Sequence, residues 1–240
     1  MLVPDFDALA QAGIKRLRAY DPGHDIVALR RKFGDSALLE LGSNENPYGP
    51  SPRVRDAVLS CLADLHRYPD PLGTDLKLAL ASQLALAPGQ IVLGNGSHEL
   101  LMMLAQVFAG PNVDVIASEF GFAVYAIAAQ AADAKFIKVP AQPASAPMPR
   151  GHDLDAIAAR VSTRTSLIYL ANPNNPTGTW FSTSVLDDFL ARLRPNALVI
   201  VDEAYLEYVT DPALVSAITL LPKYPNLIVT RTFSKAYGLA

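Results

Sequence analysis

Thr232-Phe233-Ser234-Lys235 sets a lysine behind two hydroxyl side chains. Beside a fixed anion and partly shielded from water, such an amine is a nucleophile toward carbonyl carbon; on an open surface it is one more solvated cation. Asp202-Glu203-Ala204-Tyr205 places an acid directly after the apolar run Leu198-Val199-Ile200-Val201. It is either a carboxylate of a site or a solvated cap on the next helix. Ala171-Asn172-Pro173-Asn174-Asn175-Pro176-Thr177-Gly178 packs three asparagines and two prolines into one segment. That makes a rigid, polar strand end or a plain turn. Gly94-Asn95-Gly96-Ser97 precedes a helical stretch. Its backbone N–H groups form an anion site at a helix start, or an ordinary turn with Ser97 as the cap.

These clusters need elements to hold them. From residue 90 onward the chain alternates. Short apolar, mostly β-branched runs are expected as strands at Ile91–Leu93, Val113–Ala117, Lys135–Val139, Leu167–Ala171, Leu198–Val201 and Leu227–Val229. Helical stretches between them start at Ser97, Phe122, Asp153 and Ser182. Such alternation predicts an α/β fold: a mainly parallel sheet with helices on both faces. Upstream, Ser51-Pro52 opens a helix with Val54, Val58 and Leu62 on one stripe, Ser51 being able to cap it. A second helix runs from Gly73-Thr74 to about Leu86. Residues 1–50, with Asp21-Pro22-Gly23 and Asn46-Pro47-Tyr48-Gly49-Pro50, read as an irregular N-terminal arm, and 51–240 as one large domain. Pro140 to Pro149 is a loop too short for a domain linker.

Parallel sheets bind ligands beyond the carboxyl ends of their strands. The four clusters repeat one order there: strand, then glycine turn; strand, then amides; strand, then Asp and Tyr; strand, then hydroxyls and Lys. A phosphate cradle, an acid, hydrogen-bond donors and an amine are together what pyridoxal 5'-phosphate (PLP) requires.

On Asn44-Glu45-Asn46-Pro47-Tyr48-Gly49, Arg67-Tyr68-Pro69-Asp70, Phe122-Ala123-Val124-Tyr125, Asn174-Asn175-Pro176-Thr177-Gly178, Asp202-Glu203-Ala204-Tyr205 and Thr232-Phe233-Ser234-Lys235, the chain resembles the fold-type I PLP aminotransferases. Among these it is similar to the histidinol-phosphate aminotransferases. The resemblance implies an aspartate-aminotransferase-like large domain and a catalytic set of Lys235, Asp202 and Tyr205. Lys235 would carry the cofactor as a Schiff base and later shuttle a proton. Asp202 would pair with the pyridine nitrogen, and Asn175 and Tyr205 would bond the ring's phenolic oxygen. Phe122 would stack on the ring. Gly96, Ser97, His98, Thr232 and Ser234 would hold the phosphate. Tyr68 would reach the cofactor phosphate of a neighbouring subunit in a homodimer, and Tyr20, Asn46 and Tyr68 would meet substrate.

The implied reaction passes an amino group between histidinol phosphate and the 2-oxoglutarate/glutamate pair, in L-histidine biosynthesis. Aromatic amino-acid aminotransferases and PLP-dependent decarboxylases of phosphorylated amino acids share the same cofactor residues and stay as alternatives, as does a catalytically silent fragment. The family continues past the lysine with a Gly-x-Arg element and a small C-terminal domain. The sequence given ends at Ala240, so the resemblance leads to the expectation of an incomplete large domain, without the small domain and without the family's phosphate-binding and substrate-gripping arginines.

Composition narrows the partners. A net charge of −3 gives no basic footprint for nucleic acid, and no apolar run reaches the length of a membrane span. No His, Cys, Asp or Glu cluster has metal-ligand spacing. The N-terminus lacks a basic leader, and Cys61 is the only cysteine. Both features lead to the expectation of a cytoplasmic protein.

Overall fold

The computed structural model describes residues 5–17, 26–34, 41–194 and 196–240. The arm is not irregular throughout, as its turn-rich sequence suggested. It contains short helices α1 (Phe6–Leu9), α2 (Ala12–Lys15) and α3 (Ile26–Phe33). Helix α2 is tied to the rest of the protein. A Cβ on Gly13 would lie 2.3 Å from the carbonyl oxygen of Gln130, and Arg16 meets Asp133 at 2.5 Å. Only glycine lets the two backbones approach that closely.

Next come α4 (Pro52–Cys61), α5 (Thr74–Leu84) and α6 (Gly96–Phe108). Pro52 opens α4, but the Ser51 side chain makes no capping bond. Helix α5 stops at Leu84, short of the expected end, because Ala85 turns left-handed (φ 54°). Ser97 lies inside the first turn of α6 and does not cap it; the Glu99 carboxylate accepts from Asn95 N at 2.6 Å.

The remainder alternates as expected: β1 (Asp114–Ser118), α7 (Ala123–Ala131), β2 (Lys135–Val139), α8 (Leu154–Arg160), β3 (Thr165–Ala171), α9 (Thr183–Arg192), β4 (Leu198–Asp202) and β5 (Leu227–Thr230). Asp153 caps α8 by accepting from Ala156 N at 2.9 Å, and Ser182 caps α9 by accepting from Val185 N. The expected strand at Ile91–Leu93 does not form. Ile91 is extended (φ −110°, ψ 126°), but no described strand lies alongside to pair with it, and an unpaired strand has no ladder.

The five strands are all parallel, in the order β2-β1-β3-β4-β5. Alternate residues supply two cores. Ile116, Ile168, Leu170, Val199 and Val201 pack with Leu154 and Ile157 of α8 and Leu186 and Phe189 of α9. Val115, Leu167, Tyr169 and Ile200 pack on the other face with Leu101 of α6 and Val124, Tyr125 and Ala128 of α7. Helices therefore cover both faces. The chain leaves β1 toward β2 on one side and then crosses to β3 on the other, and this reversal opens a crevice at the carboxyl ends. Among the described residues, no helix is long and apolar enough to cross a membrane.

Ile200 is fully buried in the strand that ends at Asp202. Ile200→Ala should cost about 2–5 kcal/mol. Urea unfolding measures it, and a loss well below that range would mean the core around β4 can collapse onto the gap.

Candidate active site

Asp202 is the last residue of β4 and is 5% exposed. Parallel pairing sets it opposite Thr230, whose Oγ1 donates to Asp202 Oδ1 at 3.0 Å. Tyr125 Oη, from α7, donates to Oδ2 at 3.0 Å. Burial raises the carboxyl pKa, and the hydroxyls of Tyr125 and Thr230 and the backbone N–H of Ala204 only partly offset that. Burial and the nearby Asp202 charge also hold the Tyr125 phenol well above its usual range. Among the described residues no cation pairs with Asp202, so the sheet ends in a desolvated acid with donors but no counter-charge.

Three residues on, half-buried Tyr205 accepts from Asn44 Nδ2 at 3.1 Å. Lys235 stands over it, with Nζ 5.8 Å from the ring centroid and donating to Ser43 O at 3.2 Å. The arm is clasped to the lysine turn at two further points. Asn46 Nδ2 donates to Ala236 O at 2.9 Å. A Cβ on Gly238 (φ 69°) would lie 2.7 Å from the backbone of Gly49. On the other side of the turn, Thr232 Oγ1 and Ser234 Oγ are 2.7 Å apart, and the Cβ position of Gly96 lies 3.9 Å from Thr232 Oγ1. The start of α6 thus adjoins the hydroxyl pair.

The asparagines divide their work. Asn172 exchanges bonds with the backbone of Phe181, and Asn174 donates to Phe120 O and Thr177 Oγ1. Asn172 thus holds its own loop, and Asn174 ties that loop to the segment after β1. Asn175 lines a cavity of about 680 Å³ with Asn44, Glu45, Trp180, Tyr205 and Tyr208. Behind this loop, His152 Nε2 lies 2.9 Å from Ala171 O, and burial pulls its pKa down to about 4. The ring is therefore neutral and holds the last carbonyl of β3 through an N–H.

The fold thus gathers Gly96, Ser97, Thr232 and Ser234 at one place, and Asn175, Tyr205, Lys235 and Asn46 at another, with Asp202 beneath. Exposed His98 and half-buried Ser97 lie in the first turn of α6. Phe122 sits just before α7 with its ring edge-on to Tyr125, 5.9 Å away. Tyr68 is fully exposed, far from being gathered into this cluster. Tyr20 lies outside the described residues. Sequence reasoning missed Tyr125, Thr230, Asn44 and Ser43. Tyr125 and Asn44 stood inside quoted motifs but were given no role; nothing in the sequence singled out Thr230 or Ser43. Among the described residues no group of three or more His, Cys, Asp or Glu could hold a metal ion.

Comparison with known proteins places this geometry. The family model of aminotransferases of class I and II matches residues 36–240. Histidinol-phosphate aminotransferase 2 of Pseudomonas aeruginosa is 44% identical over 238 residues, which is 98% of this chain and 63% of that protein. Histidinol-phosphate aminotransferase 1 of Nitrosococcus oceani is 46% identical over 235 residues, covering 98% and 62%. The crystal structure of the histidinol-phosphate aminotransferase from Sinorhizobium meliloti in complex with pyridoxal-5'-phosphate superposes with a TM-score of 0.84 at 32% identity, covering 96% of this chain and 60% of that one. The chain spans a little over three fifths of the length of the relatives it matches.

A carboxyl whose folded pKa is raised contributes stability that is complete below its unfolded value and is lost as pH rises through the folded value. Ionising the buried Asp202 as the pH rises through its raised folded value therefore costs stability. Asp202→Asn should raise the melting temperature at pH 7, without added ligand, by about 2–4 °C for a gain of about 1 kcal/mol. The difference should shrink as the pH is lowered toward 4. An equal or lower melting temperature for the variant at pH 7 would contradict this.

Proposed function

The chain belongs to the aminotransferase class I and II family, and on that premise we propose that it is the cofactor-binding part of a PLP-dependent histidinol-phosphate aminotransferase. The reaction would exchange an amino group between histidinol phosphate and the 2-oxoglutarate/glutamate pair, in L-histidine biosynthesis. One observation carries this reading: the Lys235 amine stands over Tyr205, on the loop that follows a buried carboxylate lacking its cation. We take residues 51–240 as the cofactor-binding unit and 1–50 as an arm over it. The single cysteine, Cys61, fits a reducing compartment, and we place the protein in the cytoplasm.

The residues present suit PLP. Asp202 needs a positive partner, and a protonated pyridine nitrogen is one. The amides at the start of α6, with Ser97, Thr232 and Ser234, suit a phosphate. Gly96 (φ 76°) takes a conformation open to glycine and adds no side chain there. When bound, the cofactor supplies a sink for the electron pair left as the substrate's Cα loses its proton. Asp202 would keep that sink effective by holding a proton on the pyridine nitrogen. Tyr205 and Asn175 would supply an O–H and an N–H for the phenolic oxygen, and Phe122 would cover a ring face. Lys235 Nζ would hold the cofactor covalently and would be the base for the Cα proton. Asn46, and Tyr20 in the arm, would meet the substrate.

The cavity bears on the substrate. Its wall includes Trp180, Tyr205, Tyr208, Glu45 and Asp211 and no basic side chain. Aromatic faces with carboxylates suit a neutral or cationic ring such as imidazole, while the phosphate of histidinol phosphate would need a basic group from outside this wall. Absorbance changes of the PLP-loaded protein with histidinol phosphate, phenylalanine and phosphothreonine, each in turn, separate this reading from its alternatives.

We also infer a homodimer. Helix α4 buries none of its residues, and Val58, Leu59, Leu62, Leu65, Tyr68 and Leu72 leave a large apolar surface open. A second copy covering it would bring Tyr68 to a neighbour's site.

Two measurements check this. Borohydride reduction with PLP should fix the cofactor on Lys235, as read by peptide mapping, and Lys235→Ala should lose the label; persistent label in that variant would sink the assignment. By light scattering, Leu65→Glu should convert dimer to monomer and weaken PLP retention about tenfold or more, since burying an unpaired charge in an interface costs several kcal/mol. A dimer that survives the change places the interface elsewhere.

A further inference from the structure

Beyond Asp202 and Thr230 the ladder between β4 and β5 ends, with one last backbone bond from Glu203 N to Thr230 O at 2.9 Å. The two loops that carry Tyr205 and Lys235 then diverge. What crosses between them is a side chain, Arg231. Its Nη1 lies 3.7 Å from Glu203 Oε2, and its Nη2 donates to Glu207 Oε1 at 2.5 Å. Arg231 is the first residue after β5, four before Lys235. Glu203 follows Asp202, and Glu207 follows Tyr205 by two in a single turn of 3₁₀ helix (Leu206–Tyr208). One guanidinium therefore bridges carboxylates on both sides of Tyr205.

The bridge is more than a remedy for a buried acid. The Glu203 side chain is 1% exposed, but its oxygens already accept from Ala217 N at 2.6 Å and Ser216 Oγ at 2.7 Å. Those bonds occupy both carboxylate oxygens, and Arg231 adds a positive charge beside them. The shorter contact of Arg231 is with Glu207, whose side chain retains 19% exposure and could find water instead. Spanning two carboxylates needs the planar, multi-donor fork of arginine; a lysine ammonium is a point charge on a flexible stem. From Arg231 the constraint runs into Thr232 and Ser234, themselves joined at 2.7 Å, and on to Lys235, whose carbonyl accepts from Gly238 N at 3.0 Å.

We propose that Arg231 is a positioning residue, clamping the Tyr205 loop to the Lys235 turn through Glu203 and Glu207 so that amine and phenol keep their alignment. The coupling of the two loops stands on the geometry alone; its consequence for catalysis rests on the PLP reading above.

The test uses the 240-residue chain with four substitutions: Arg231→Gln, Arg231→Lys, Glu207→Gln and, as control, Ser216→Ala. Amide hydrogen exchange is followed without PLP. Arg231→Gln should speed exchange about tenfold in both 204–209 and 232–238, the order expected for loss of a charged hydrogen bond. Glu207→Gln, the gentler change should Arg231→Gln fail to fold, should speed exchange at 232–238, which lies on the other loop. In a second arm, each protein is reduced with borohydride in the presence of PLP. The share of label on Lys235 against other lysines should fall several-fold in Arg231→Gln and Glu207→Gln and recover in part in Arg231→Lys. Ser216→Ala should lower the melting temperature yet leave that share unchanged, which a merely structural role for Arg231 would not predict. Wild-type exchange at 232–238 in Glu207→Gln, or an unchanged Lys235 share in Arg231→Gln, overturns the proposal. Label scattered over many lysines in the unsubstituted chain would instead overturn the PLP reading, and the exchange comparison would then decide the clamp by itself.

Discussion

A carboxylate sits where a sheet ends, out of water and without a cation. Most of the site can be traced to that constraint. Two hydroxyls are drawn from different elements to satisfy Asp202: Thr230 from the neighbouring strand and Tyr125 from the helix on one face. Tyr125 is itself fixed by stacking on Tyr169, with ring centroids 4.8 Å apart and planes nearly parallel. Tyr169 Oη in turn donates to Leu101 O in α6. The acid thus organises the core of one face as far as the helix whose first turn adjoins Thr232. Hydroxyl donors lessen the desolvation penalty of the ionised form without removing it, and burial still raises the carboxyl pKa.

Parallel pairing explains why the remaining groups converge. Every strand points the same way, so every strand delivers its terminal residue to one edge, and the order β2-β1-β3-β4-β5 puts the loops after β3, β4 and β5 side by side. Asn175, Tyr205 and Lys235 are distant in sequence and adjacent for that reason. A helical or antiparallel arrangement of the same segments would have sent half of them to the opposite end.

Much of this could be read from the sequence, because apolar β-branched runs broken by polar clusters mark strand ends. The positions of Asp202, Asn175 and Lys235 at the sheet edge followed from that pattern alone. Register did not. Nothing in Leu-Ile-Val-Thr says that Thr230, rather than Thr232, will face Asp202; that depends on how β5 slides along β4. Nor could composition tell Asn175 from Asn172 and Asn174, since the difference lies in which amides the loop uses to hold itself. The expected strand at Ile91–Leu93 has the right residues, but a strand is a property of a pair, and its partner is not among the described elements. Tyr68 belongs to a motif whose proposed role depends on a second subunit, so a single chain leaves it in water. The arm misled for a different reason: turn-rich segments hide short helices, and Gly13 is legible as a contact residue only once Gln130 is opposite it.

The clasp between the arm and the lysine turn has a mechanical meaning. Gly49 and Gly238 meet backbone to backbone, with Asn46 and Ser43 bonded to the same turn. Lifting residues 43–49 away would strip Lys235 of the Ser43 carbonyl and peel Ala236 from Asn46. Movement of the arm and movement of the lysine turn are thereby geared together: neither side of the clasp can shift without loosening the other.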